Sequence, residues 1–241
     1  MYSFAMRVFI SLIFLTLLLS CSRKGSYSAV YQAPPPAPSA GAAKTYLALG
    51  DSYTIGQSVQ VPERFPTQTV SRLREQGISI ADPVYIARTG WTTGNLQNAI
   101  ATENPSPTYD VVSLLIGVND QYQRMDTAGY ASRFTELLEN AVQLARGKKA
   151  HVFVLSIPDY SATPFVATSE KERVRREVDW FNAINKRITD AYGISYTDIT
   201  PSTREAATNP ALVAGDGLHP SGSEYRKWAE MLAPKMKVVL Q

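Results

Sequence analysis

Tyr46-Leu47-Ala48-Leu49-Gly50-Asp51-Ser52-Tyr53-Thr54-Ile55-Gly56 decides how this chain is read. The four apolar residues at its start form a run of strand length, and Gly50, Asp51 and Gly56 are turn formers. A short apolar strand that empties into such a turn is the first unit of an open α/β sheet, whose ligand crevices form beyond the C-terminal ends of the strands. Ser52 stands at that edge. Gly-Asp-Ser alone is also an ordinary turn. Its meaning changes with Asp216-Gly217-Leu218-His219-Pro220 near the other end of the chain. Serine, aspartate and histidine, in that order, are the parts of a nucleophilic triad.

Four further strand-length runs follow, at Val84–Ala87, Val111–Ile116, Val152–Ile157 and Ile194–Ile199. Helical spacing of apolar residues separates them. Phe134, Leu137, Leu138, Ala141, Val142 and Ala145 mark one helix; Val174, Val178, Phe181, Ile184 and Ile188 mark the next. The last helix carries Tyr225, Trp228, Ala229, Leu232 and Met236. Ser169 with Glu172, and Ser221 with Glu224, have capping-box spacing at the starts of the latter two. Near-continuous apolar strands alternating with helices imply a parallel sheet covered on both faces, joined by right-handed crossovers. The expected fold is an α/β/α sandwich of flavodoxin-like topology, with five strands in the order 2-1-3-4-5. The turns after those strands then share one edge.

Composition narrows the function. The chain has 241 residues, 44% hydrophobic and 19% charged, with a formal net charge of +3. Acids and bases alternate, as in Glu170-Lys171-Glu172-Arg173, so no one-sided basic patch suits a nucleic acid. One spare histidine, His151, and no thiol in the domain leave too few donors for a metal centre. His151 is expected at the sheet edge opposite the crevice. No Gly-x-Gly-x-x-Gly follows the first strand, and no Walker loop is present. The nucleophile elbow of α/β-hydrolases needs Gly-x-Ser-x-Gly, and position 54 is Thr. No cofactor is called for.

The first 21 residues read as a signal segment. Arg7 precedes an apolar stretch from Val8 to Leu19 that is too short to span a bilayer comfortably. It ends at Leu18-Leu19-Ser20-Cys21, and Cys21 is the only cysteine of the chain. This resembles the lipobox of bacterial lipoproteins, although Leu19 is a less usual residue at its position. That resemblance implies lipidation of Cys21, export, and a lipid anchor in the cell envelope. Ser22 after the cysteine fits transfer to the outer membrane of a Gram-negative cell. Residues 22–43, with Pro34-Pro35-Pro36-Ala37-Pro38, read as an extended tether. The catalytic domain is expected over residues 44–241.

Within that domain the chain resembles the SGNH hydrolases, the GDSL-type esterases and lipases. The Gly-Asp-Ser block matches at Ser52, the second-block glycine at Gly90, Gly-x-Asn-Asp at Asn119, and Asp-x-x-His at Asp216 and His219. The resemblance implies a serine esterase with Ser52 as nucleophile, His219 as base and Asp216 as its orienting carboxylate. It implies an oxyanion hole made by the Ser52 and Gly90 N–H groups and the Asn119 side chain, with further N–H groups at the helix start after Ser52. Asp51 and Asp120 are read as loop braces, Asp159 and Asp198 as turn or cap residues. Tyr53, Trp91, Tyr122 and Tyr160 are candidates for the pocket wall. Expected substrates are esters of short or medium acyl groups, O-acetyl glycans among them. The alternatives are an acyltransferase on the same scaffold and a catalytically silent, lipid-anchored glycan-binding protein.

Overall fold

The computed structural model describes residues 42–241. The signal segment, Cys21 and tether residues 22–41 lie outside the described residues. In chain order the regular elements begin with β1 (Tyr46–Asp51), α1 (Ser52–Ile55), α2 (Phe65–Glu75), β2 (Val84–Arg88) and α3 (Thr93–Glu103). Then come β3 (Val111–Leu115), α4 (Val118–Tyr122), α5 (Thr127–Leu144), β4 (Val152–Leu155) and α6 (Lys171–Ala191). The chain ends with β5 (Ser195–Thr197), α7 (Thr200–Arg204) and α8 (Gly222–Leu240). The five strands make one parallel sheet in the order β2-β1-β3-β4-β5. This is the order read from the sequence.

β1 and β3 lie inside the sheet, and their apolar continuity follows from being covered on both faces. Tyr46, Leu47, Ala48 and Leu49 are fully buried, and Leu49 sits in register with Ile86 on one side and Leu114 on the other. The Tyr46 hydroxyl is satisfied by Ser113 Oγ at 2.8 Å across the β1–β3 pair. α2 packs on α8 in one helical layer, around Phe65, Tyr225 and Trp228 with ring centroids 5.0–6.2 Å apart. α3, α5 and α6 pack in the other, where Tyr130 lies 4.6 Å from Phe181.

Three local readings change. β4 ends at Leu155, because Asn182 Oδ1 takes the Ile157 N–H at 2.8 Å and draws the chain off the sheet. β5 keeps only three residues, because Asp198 accepts from Thr200 N (3.1 Å) and Ser156 Oγ (3.0 Å) and turns the chain into α7. Neither capping box forms. α6 starts at Lys171, and Glu172 pairs with Arg176 instead. At α8 the Ser221 hydroxyl donates to the Ala211 carbonyl, and Glu224 turns inward to accept from Trp228 Nε1 at 2.9 Å. At α8 a partner outside the helix takes the capping hydroxyl, whereas at α6 the cap position falls on Glu170, one residue past Ser169, and the box is out of register. Among the described residues no helix is long and apolar enough to cross a membrane.

Candidate active site

β1 delivers Ser52 as the first residue of α1. Asp51 caps that turn, its Oδ1 accepting from Tyr53 N at 2.9 Å, and Ser52 is held with only 4% of its surface exposed. α1 is a single turn of four residues closed by Gly56. It carries too few aligned peptides to supply the helix field expected after Ser52.

Asp216 and His219 arrive on the loop before α8. Asp216 Oδ1 accepts from Leu218 N (3.0 Å) and His219 N (2.9 Å), folding the loop around its own carboxylate. The other oxygen, Oδ2, meets His219 Nδ1 at 2.6 Å. A carboxylate can only accept, so Nδ1 carries the proton and Nε2 presents a lone pair. That lone pair faces Ser52 Oγ at 3.0 Å. Tyr53 packs against the imidazole, with ring centroids 4.9 Å apart. Partial burial works against the charged form of Asp216. The Ser58 hydroxyl, the two N–H groups and His219 outweigh it and hold the carboxyl well below the usual carboxylate range.

Gly90 lies in the turn after β2 with φ +79°, a conformation glycine adopts without strain. Open space surrounds the position a Cβ would take, so backbone geometry and not crowding calls for glycine there. Gly117 precedes α4 with φ +126°, and a Cβ there would stand 2.7 Å from the Tyr130 ring. This close approach sets the start of α4 and therefore Asn119. Asn119 Nδ2 donates to the Trp91 carbonyl at 3.0 Å; its second acceptor, Asp51 Oδ2, is 3.5 Å away. A contact that long holds a hydrogen weakly, so it can yield to a better acceptor in the cleft. Asp120 accepts from Thr93 N (2.8 Å) and pairs with Arg133 (3.3 Å), tying α3 to α4 and α5. Asp159 accepts from Ser161 N at 2.9 Å and pairs with Arg204 at 2.7 Å. Asp51, Asp120, Asp159 and Asp198 thus serve as braces or caps. Burial, with the Asp120 charge adding to it, pushes the Asp51 carboxyl up to about 8 against the Tyr53 and Asn119 hydrogen bonds.

Ser52, Gly90, Asn119 and His219 open into one solvent-facing cleft of about 150 Å³. Tyr53, Tyr122 and Tyr160 line it as expected. Trp91 acts otherwise, through its carbonyl on Asn119. Two participants were not foreseen: Phe165 in the wall and Ser58 on Asp216. His151 stands before β4, its Nδ1 2.6 Å from the Asp110 carbonyl, at the opposite end of the sheet. Among the described residues no group of three His, Cys, Asp or Glu side chains is placed to hold a metal ion.

The sequence pattern of the GDSL-like lipase/acylhydrolase family matches residues 48–227, from the middle of β1 into α8. The chain belongs to that family. This GDSL-like acylhydrolase is accordingly an enzyme of carboxylic ester hydrolysis. Its fold is similar to that of a lipase/acylhydrolase from Enterococcus faecalis, at 18% identity and TM-score 0.62, over 81% of this chain and 96% of that one. It is equally similar to the acetylxylan esterase Axe2 from Geobacillus stearothermophilus, at 20% identity and TM-score 0.62, over 80% and 94% of the two chains. TesA matches at 17% identity and TM-score 0.61, over 81% and 99%. No curated protein matches the chain at a significant level.

Proposed function

We propose that this GDSL-like acylhydrolase is a serine esterase working through an acyl-enzyme on Ser52. The observation that carries this reading is the continuous line Ser52 Oγ–His219 Nε2–His219 Nδ1–Asp216 Oδ2, at 3.0 and 2.6 Å. Serine is a poor nucleophile without an adjacent base. As Ser52 Oγ bonds to the ester carbonyl carbon, its proton passes to His219 Nε2, and Asp216 stabilises the imidazolium. The carbonyl electron pair moves onto oxygen. The Gly90 N–H, the Asn119 amide and the Ser52 N–H, which has no acceptor within its own helix, receive that oxyanion. Each such donor is worth about 3 kcal/mol of barrier. Collapse breaks the bond to the alcohol oxygen, which leaves with the proton from His219. Water then attacks the acyl-Ser52 ester with His219 again as base, releasing the carboxylic acid and restoring the serine. Substrates are esters of short or medium acyl groups, O-acetyl glycans included. The test is turnover of p-nitrophenyl esters of increasing acyl length by the full chain and by Ser52→Ala. Turnover lost in a folded Ser52→Ala is expected; turnover retained in a clean preparation sinks the mechanism.

We also propose that Cys21 is lipidated and anchors the enzyme in the cell envelope, on the strength of the Leu18–Cys21 lipobox and the proline-rich tether after it. Cells expressing the full chain incorporate a palmitate analogue, and Cys21→Ala does not. Equal labelling of both removes the anchor.

A further inference from the structure

One wall of the cleft is built from three aromatic rings. Tyr122 comes from α4, whereas Tyr160 and Phe165 come from the long loop after β4. Their centroids stand 6.2–6.5 Å apart, so the rings form a single patch. Tyr160 is its base: it is buried, and its hydroxyl donates to Gln121 Oε1 at 2.7 Å. Tyr122 and Phe165 are its face, 56% and 49% exposed. Single exposed apolar residues are common on any surface, but two adjacent ones on the rim of a catalytic cleft mark a contact surface. The patch is also held in register with the base. Phe165 N donates to the Gly217 carbonyl at 3.1 Å, within the loop that carries Asp216 and His219.

The chemistry of the wall restricts what can lie on it. No Asp, Glu, Lys or Arg side chain among the described residues lines the cleft. A phosphate-bearing alcohol finds no cation there. An alkyl chain gains from burial only in proportion to the area removed from water, and half-exposed rings shield one side of it. The recess beside His219, between Tyr53 and Leu218, is about 20 Å³, space for a water-sized group and not for a chain. A sugar ring is matched to such a surface. Its C–H face covers an aromatic ring while its hydroxyl rim stays in water.

We propose that Tyr122, Phe165 and Tyr160 form the alcohol subsite of this enzyme, and that the alcohol is an uncharged sugar ring carrying a short acyl ester. This rests on the reading of Ser52 as nucleophile. With the carbonyl at Ser52 Oγ, the sugar lies across Tyr122 and Phe165, and these two residues set the preference between esters.

Binding and turnover separate the two readings. Full-chain Ser52→Ala is titrated with an O-acetylated methyl glucoside and with ethyl octanoate, and Phe165→Ala and Tyr122→Ala are then added to that background. The glucoside is expected to bind, and each added substitution to weaken it about tenfold. Phe165→Trp and Tyr122→Phe, which keep a ring, are expected to retain binding and so guard against a folding defect. Glucoside affinity that is absent, or indifferent to Phe165→Ala, overturns the proposal. So does ethyl octanoate binding more tightly than the glucoside and depending on the same rings, which would make the patch an acyl site. Wild-type turnover of p-nitrophenyl acetate is scored apart. Turnover without sugar binding overturns the subsite alone, whereas ring-dependent sugar binding without any ester turnover overturns the nucleophile and, with it, the assignment of the patch as an alcohol subsite.

Discussion

Ser58 Oγ donates to Asp216 Oδ2 at 2.6 Å, the same oxygen that accepts the His219 Nδ1–H. The carboxylate therefore takes hydrogen bonds on both sides of one oxygen and cannot rotate away from the imidazole without losing both. Ser58 holds this position at φ +66°, a left-handed conformation that costs a serine about 1 kcal/mol. In the proposed mechanism Ser58 therefore acts on His219 through Asp216.

Removing that hydroxyl is expected to slow turnover while substrate binding persists. Ser58→Ala should lower kcat about three- to tenfold, with KM nearly unchanged, because the bond is charged but its serine is exposed to water. Ser58→Asn, which tolerates the left-handed backbone and offers an amide donor, should recover most of the loss. Steady-state kinetics on one p-nitrophenyl ester checks both. An unchanged kcat in Ser58→Ala would show that water replaces the hydroxyl without cost.

The buried carboxyl of Asp51 makes a second prediction, about stability. Its folded pKa, raised to about 8 chiefly by burial, lies above the ordinary 3.8 of the unfolded chain. Between those values the folded protein keeps a proton that the unfolded chain has released. The contribution is thus fully present below about pH 4 and is lost as pH rises towards 8. Asp216 works in the opposite direction and in a different window: its lowered pKa adds stability above about 3.8, lost on further acidification. Asp51→Asn removes only the first effect. Urea midpoints measured from pH 4 to pH 8 should fall more steeply for wild type than for Asp51→Asn, and parallel curves would mean that Asp51 is ionised throughout.

What the sequence disclosed and what it hid divide along contact range. The buried strand Tyr46–Leu49 and the Asp216–His219 loop are local features, each written within a few residues, although β1 runs on through Gly50 and Asp51, whose turn-forming residue types concealed it. The five-strand order follows from element alternation and crossover handedness. Ser58 gives no such signal, because its partner lies 158 residues away and it lacks the turn chemistry expected at a left-handed position. Phe165 sits in an irregular loop where no periodicity distinguishes a rim residue from a packed one. The two capping boxes had the right spacing and still failed: at α8 Ser221 is taken by the Ala211 carbonyl and Glu224 by Ser202 and Trp228, and at α6 the helix starts one residue late, with Glu170 at the cap. Trp91 was read for its ring, yet the group it contributes is its carbonyl, which every residue has.

The central claim is that Ser52 is the nucleophile and His219 its base. Reaction of the full chain with a fluorophosphonate, followed by mass spectrometry of its peptides, tests it most directly. One adduct is expected, on Ser52, absent from Ser52→Ala and formed about a hundredfold or more slowly in His219→Ala. An adduct on another residue, or an unlabelled Ser52 in folded protein, would contradict the account.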